Sequence, residues 1–375
     1  MEERIEHPPP YILPASGTHK QTLILLHGTS TSGPEFAETF LDFPFLLPLS
    51  TSSSSPNSLA SSSSSPLKRN NLWVPEMEGL LRTTLRRVLS KGGILEGVRI
   101  VFPTGSLKKT TVFGGRKTNA WFDVHDFSDR TVGEEDQVRG MKESLCYLRE
   151  LVKVEVKILE KDDGRGGRGG RGKVVLGGFS QGCAMGVVGL LSGEFESLGL
   201  GGFVGFSGWL PFRRQVDEAI HYREGSDVES QIAKKLERVR RKGLRSYLRR
   251  LWTVFLRWIG RISWLLPWIL RRHLMKENAG AEDEVSRRRR QAVQYIRTLL
   301  SLPPQTLDIG PQIPILLGHG AEDQKVKHEW ALQMQDTLID MGLNVKARRY
   351  EGVAHWYCEE EMRDLVGFLG FEGKK

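Results

Sequence analysis

Short apolar runs recur along the chain, separated by stretches whose apolar side chains fall three or four residues apart. Gln21–His27 (QTLILLH), Val98–Phe102 (VRIVF), Val174–Leu176 (VVL), Gly202–Phe206 (GFVGF) and Ile313–Leu317 (IPILL) are short and almost uniformly apolar, and read as strands covered on both faces. Val345–Tyr350 reads as an edge strand. Helical spacing is predicted over 72–91 (Leu80, Leu81, Leu85, Val88) and over 134–152 (Val138, Met141, Leu145, Leu148, Leu151). Cys183–Leu191, Val326–Leu338 and the stretch after His355 complete the helices, while 103–123 reads as a long loop. Strands and helices in alternation predict an α/β fold with a mostly parallel central sheet.

Composition changes this picture in three places. From 48 to 70 the chain is dominated by serine, broken by proline and asparagine; it cannot bury enough apolar surface to order itself and predicts a disordered loop. Residues 162–172 (DDGRGGRGGRG) resemble the Arg-Gly tracts of RNA-binding tails, but one short run between a helix and a strand reads as a flexible connector, and no nucleic-acid partner is expected. The formal charge of +9 is concentrated between 213 and 310, where about 22 Lys and Arg face about 11 Asp and Glu. The expected organisation is a tail (1–20), a first core part (21–212), a basic helical insertion (213–310) and a second core part (311–375).

Within that insertion, Leu251–Leu270 (LWTVFLRWIGRISWLLPWIL) carries Trp252, Trp258, Trp264 and Trp268. A transmembrane span is not expected. Arg257 and Arg261 would sit near the bilayer centre at about 2.5 to 3.5 kcal/mol each, and one crossing would divide a single fold between two compartments. Two readings remain: a helix lying in the membrane interface through 244–275 with the tryptophans down, or a lid over a pocket. Cys146, Cys183 and Cys358 are widely spaced and show no disulfide or metal pattern. The first twenty residues carry early acids and consecutive prolines in place of an apolar signal core. The expected location is the cytoplasm, with membrane surfaces and the nucleus as further sites.

The candidate chemistry centres on Lys173–Gly182 (KVVLGGFSQG), a buried strand running into Gly-x-Ser-x-Gly. With 41 glycines in 375 residues that pentapeptide has roughly a one-in-three chance of arising somewhere, so its context decides. A strand precedes it and a helix comes after, the setting of a nucleophile on a sharp strand-to-helix turn. Asp323 and His355 each come after a later strand and fall at the same sheet edge, giving the order Ser, Asp, His. His355 is then the base, Asp323 its orienting carboxylate, and the backbone N–H groups of Gln181 and Thr29 the oxyanion donors. His27, His125, His319 and Glu322 are weaker rivals. Trp121 and its neighbours Phe122 and Asp123 either line a pocket or seal the core. No cofactor or metal is called for.

LILLHG at 23–28, WFD at 121–123, LGGFSQGCAM at 176–185, GWLP at 208–211, HGAEDQKV at 319–326 and GVAHWYCEEEM at 352–362 together resemble the acyl-protein thioesterase and lysophospholipase-like carboxylesterases. The chain departs from that family in its GTSTSG loop, where a Gly-Asp pair is usual, and in the long insertion after Pro211. The resemblance implies an α/β-hydrolase with Ser180, Asp323 and His355 as triad, Thr29 and Gln181 at the oxyanion, and Trp209 near the acyl site. It further implies hydrolysis of acyl thioesters on S-acylated proteins, with lysophospholipids or other carboxylic esters as the alternative. A reading of another class is a catalytically weak hydrolase-like scaffold that binds a membrane or protein through its basic, Trp-rich insertion. The retained triad speaks against it.

Overall fold

A computed structural model describes residues 7–48, 80–162, 170–222, 284–304, 309–310 and 312–371. Its strands are β1 (Tyr11–Leu13), β2 (Gln21–Leu26), β3 (Pro44–Pro48), β4 (Leu80–Thr84), β5 (Val98–Phe102), β6 (Leu107–Thr110), β7 (Arg116–Asn119), β8 (Val174–Phe179), β9 (Leu200–Phe206), β10 (Pro314–Gly320) and β11 (Asn344–Tyr350). Its helices are α1 (Gly33–Leu41), α2 (Leu85–Val88), α3 (Glu134–Asp162), α4 (Gln181–Leu191), α5 (Arg213–His221), α6 (Glu284–Leu299), α7 (His328–Asp340) and α8 (Glu359–Phe371). Seven strands form one sheet in the order β1-β5-β2-β8-β9-β10-β11, in which every pair is parallel except β1 with β5.

The uniformly apolar runs occupy the middle of that sheet because both its faces are covered. Along β2, Ile24 and Leu26 enter the core beneath α3 and α4, while Leu23 and Leu25 enter the core beneath α1 and α8. Phe203 against Val204, and Leu317 against Leu316, divide β9 and β10 in the same way. Each side chain loses its water on one face or the other, so no polar position alternates with it. The parallel pairing also brings the carboxyl ends of β2, β8, β9, β10 and β11 to one edge, where an open α/β sheet places its ligands.

Several expectations are corrected. The tail is not wholly outside the sheet: Tyr11–Leu13 pairs antiparallel with β5 just beyond Pro8–Pro10, which lack the N–H a strand would donate. The helix expected over 72–91 is confined to α2, since Leu80–Thr84 pairs instead with Pro44–Pro48 and β-branched Thr83 and Thr84 suit that pairing; 72–79 lie outside the described residues. The loop 103–123 contains the β6–β7 hairpin, Leu107 opposite Asn119. Helix α3 continues past 152 to Asp162, and β10 continues to Gly320, which places His319 on the strand. The serine-rich segment, most of the Arg-Gly run, and the four insertion tryptophans at 252, 258, 264 and 268 lie outside the described residues.

The two described ends of the basic insertion are built into the core. Helices α5 and α6 pack together, with Arg287 and Gln291 donating to the Tyr222 carbonyl at 3.0 and 2.9 Å. Val216, Ile220, Ala292 and Ile296 join the same core as α4. Buried Arg297 donates to the carbonyls of Ser192 and Pro303, both at 2.7 Å, and to Glu194 at 2.9 Å, fastening α6 to the end of α4. No helix among the described residues is long and apolar enough to cross a membrane.

Candidate active site

Ser180 stands where β8 becomes α4, with φ 54° and ψ −118°. This is left-handed backbone in a residue that carries a β-carbon, a strain the surrounding structure must hold. It does so by close approach: a β-carbon on Gly178 would collide with the backbone of Gly182, and one on Gly182 with the carbonyls of Leu26 and His27. The Ser180 N–H donates to Phe206 O at 2.8 Å, pinning the turn to β9. Glycine at both flanking positions is therefore a packing requirement.

His355 reaches back from the loop between β11 and α8. Its Nε2 lies 3.0 Å from Ser180 Oγ and its Nδ1 2.7 Å from Asp323 Oδ2. Asp323 divides its oxygens, since Oδ1 accepts the N–H groups of Lys325 and Val326 at 2.9 and 2.8 Å while Oδ2 faces the His355 imidazole, with His319 Nε2 3.4 Å from the same oxygen. Burial pushes the Asp323 carboxyl up, but the hydrogen bond and charge of His355 and the Val326 N–H outweigh it, and the group ends below its ordinary range. An ionised Asp323 holds the His355 proton on Nδ1 and so turns the Nε2 lone pair to the serine hydroxyl. The chain thus brings together all three expected residues from three separate strand ends.

The rivals are engaged elsewhere. Glu322 is exposed, and His125 sits between Asp123 and Asp136 at 3.3 and 3.4 Å. His319 donates from Nε2 to Val326 O at 2.8 Å, and the same nitrogen lies 3.4 Å from Asp323 Oδ2. His27 is fully buried: its Nε2 accepts the Gly105 N–H at 2.9 Å, which leaves Nδ1 as the donor to Gly28 O at 2.6 Å. In a trans peptide C=O and N–H point opposite ways, so this bond turns the Thr29 N–H away from His27. Gly28 itself lies against the Ser180 side chain, 3.4 Å from its Cβ to a β-carbon placed on the glycine.

His27 also carries a pH signature. Burial lowers its pKa to about 4 from an ordinary 6.5, against the opposing Gly28 hydrogen bond. The unfolded chain therefore binds a proton there in the window where the folded one does not. Stability from this residue is complete above pH 6.5 and declines as pH falls from about 6.5 towards about 4. Melting temperature traced over that window should fall in wild type and fall less steeply in His27→Asn.

Of the two roles open to Trp121, a place at the acyl site and a seal on the core, its surroundings match the second. It is 0% exposed, its indole N–H donates to His27 O at 2.9 Å and its backbone N–H to Gln181 Oε1 at 3.1 Å, so it braces the site and faces no open cleft. Gln181, expected only for its backbone N–H, uses its whole side chain: Nε2 also donates to Phe122 O at 2.7 Å. These two bonds fix the WFD loop to the start of α4, a role that no spacing in the sequence announces. Trp209 is 3% exposed and lines a cavity shared with Arg130. No group of three or more His, Cys, Asp or Glu among the described residues could hold a metal ion.

The model of the phospholipase/carboxylesterase family matches residues 92–227 and 298–371, which include Ser180, Asp323 and His355. The chain belongs to the phospholipase/carboxylesterase family. It is an α/β-hydrolase, and the break in the family match, 228–297, falls within the basic segment. The chain is 30% identical over 123 residues to acyl-protein thioesterase 1 of Schizosaccharomyces pombe, covering 33% of this chain and 48% of the relative. To acyl-protein thioesterase 1 of Mycosarcoma maydis it is 33% identical over 131 residues, 35% and 52% of the two chains. The chain thus spans about half the length of these curated relatives. A longer alignment, 25% identical over 275 residues, covers 73% of this chain and 76% of acyl-protein thioesterase 1 of Debaryomyces hansenii. The crystal structure of Zea mays acyl-protein thioesterase 2 superposes with a TM-score of 0.49 and 19% identity over 96% of this chain and 97% of that one.

Proposed function

We propose that this member of the family is a serine hydrolase that cleaves acyl thioesters or carboxylic esters. The observation that carries the reading is the continuous line of hydrogen bonds from Ser180 Oγ through His355 to Asp323, at 3.0 and 2.7 Å. Ser180 attacks the acyl carbonyl as His355 Nε2 takes its proton. The same proton passes to the departing thiol or alcohol, leaving an acyl-serine that water, deprotonated by His355, hydrolyses to the free acid. Gln181 N–H, at the first position of α4 where no intrahelical carbonyl reaches it, and Thr29 N–H hold the oxyanion. The chemistry uses side chains and backbone alone.

The preferred substrate class is S-acylated protein, with depalmitoylation as the reaction; lysophospholipids and simple carboxylic esters are the alternative, because one triad serves both bonds. The matching relatives named acyl-protein thioesterase support the first. Work on acyl chains suits a protein of the cytoplasm at membrane surfaces, with contact through 244–275 and its tryptophans. Purified chain should hydrolyse palmitoyl thioesters on a peptide faster than p-nitrophenyl acetate, with a further gain on anionic liposomes. A preference for short esters, unmoved by liposomes, identifies a general carboxylesterase instead. His27→Ala frees the Gly28–Thr29 peptide and should lower kcat by about 10²-fold with KM little changed.

A further inference from the structure

Beside the triad lies a buried guanidinium that makes no direct ion pair among the described residues, although the charges of Asp323 and Asp126 act on it from further off. Arg130, on the loop between Trp121 and α3, is 8% exposed, and among the described residues no carboxylate pairs with it. Its Nη2 donates to Lys325 O at 2.9 Å and its Nη1 to Asp126 O at 3.4 Å, while the buried Nε has no partner among the described residues. Aromatic faces surround the guanidinium: its carbon lies 4.3 Å from the Trp209 ring centre, 5.1 Å from Phe127 and 5.4 Å from Trp330. Burial lowers its pKa to about 10 against the opposing charges of Asp323 and Asp126, which still leaves it charged at neutral pH.

Trp209, Trp330 and Arg130 line a cavity of about 180 Å³ together with Arg213, Arg214 and Gln215. Arg213 pairs with Asp217 through Nη2 at 2.6 Å, yet its buried Nε has no partner among the described residues. Two acids border the same space, but both are engaged: Asp129 Oδ1 accepts the N–H and hydroxyl of Thr131, and Glu134 accepts the Phe212 N–H and the Gln215 amide. Aromatic faces and two carbonyls offset only part of the cost of burying a guanidinium. What remains are two buried donors, Arg130 Nε and Arg213 Nε, without partners among the described residues, on side chains that border a space sized for a small charged group.

The cavity adjoins the catalytic elements on two sides. Lys325, whose carbonyl takes Arg130, gives its own N–H to Asp323. Trp209 comes after Gly208, which packs against Cys183 and lies near the Ser180 carbonyl. We propose that this cavity is an anion subsite of the enzyme, in which Arg130, with Arg213 beside it, takes the carboxylate or phosphate group of a substrate whose acyl carbonyl lies at Ser180. The substrate half of this statement rests on the serine-hydrolase reading; the anion half does not.

Anion binding is read on the full chain by tryptophan fluorescence and thermal shift, since Trp209 and Trp330 flank the site. The probes are inorganic phosphate and glutarate, with chloride at matched ionic strength as control. Saturable binding of one probe is expected in wild type and in Ser180→Ala alike, weakened about tenfold or more in Arg130→Gln and measurably in Arg213→Gln. The probe that binds distinguishes phosphate from carboxylate. No saturable binding, or equal affinity in Arg130→Gln, overturns the site; should Arg130→Gln fail to fold, unchanged affinity in Arg213→Gln overturns it.

The substrate half is read from kcat/KM for p-nitrophenyl hemiglutarate relative to neutral p-nitrophenyl valerate, or for a phosphate-bearing ester of similar length if phosphate is the anion bound. Arg130→Gln should lower that ratio about tenfold. An unchanged ratio overturns the substrate assignment. Anion binding without hydrolysis of any ester in wild type supports the anion site and overturns the hydrolase reading.

Discussion

Ser180→Ala should remove about 10⁶-fold of kcat while leaving the protein folded. The hydroxyl's hydrogen-bond partner is His355 Nε2, and alanine keeps the β-carbon that the turn already accommodates at φ 54°. Thermal melting should therefore change little. His355→Ala should cost a similar factor, and the double variant little more than either alone, because the residues act as one unit. Hydrolysis of a long-chain acyl thioester, measured beside the melting curve, checks all three variants.

Gly182→Val should prevent folding or cost more than about 4 kcal/mol, the range reserved for substitutions that a core cannot absorb. The atoms a β-carbon would strike are the carbonyls of Leu26 and His27. They belong to the backbone of β2 and its exit, so no side-chain rotation relieves the clash. The control is Gly367→Ala on α8, where a β-carbon meets nothing within 4 Å and φ carries no glycine constraint. That variant should be neutral or more stable by up to about 1 kcal/mol. Urea unfolding of the two variants separates a steric demand at the nucleophile turn from a general intolerance of change.

The central strands and the sharp turn at Ser180 were legible because each rests on a signal carried by a few adjacent residues. VRIVF and GFVGF are short, nearly continuous apolar runs of strand length, and the pentapeptide around Ser180 records a steric limit that the close approach of Gly178 to Gly182 makes explicit. The meeting of Asp323 and His355 with Ser180 was legible because each stands just past the end of a later strand, at the edge where the Ser180 turn lies. The misread segments are those settled by a distant partner. Leu80–Thr84 has helical spacing, yet Pro44–Pro48 supplies a pairing edge far away in sequence. Leu107–Thr110 and Arg116–Asn119 are too polar to announce themselves as strands, and their mutual pairing decides the matter. The support of the site was hidden for the same reason: the Gln181 amide, the His27 ring and the Arg130 guanidinium act through backbone carbonyls and N–H groups contributed by other loops.

The most direct test of Ser180 as nucleophile is covalent labelling by a fluorophosphonate, with the modified peptide sequenced by mass spectrometry. A single adduct is expected on Ser180, absent from Ser180→Ala and strongly reduced in His355→Ala. No adduct under conditions where the chain is folded, or an adduct that persists in Ser180→Ala, would contradict that assignment.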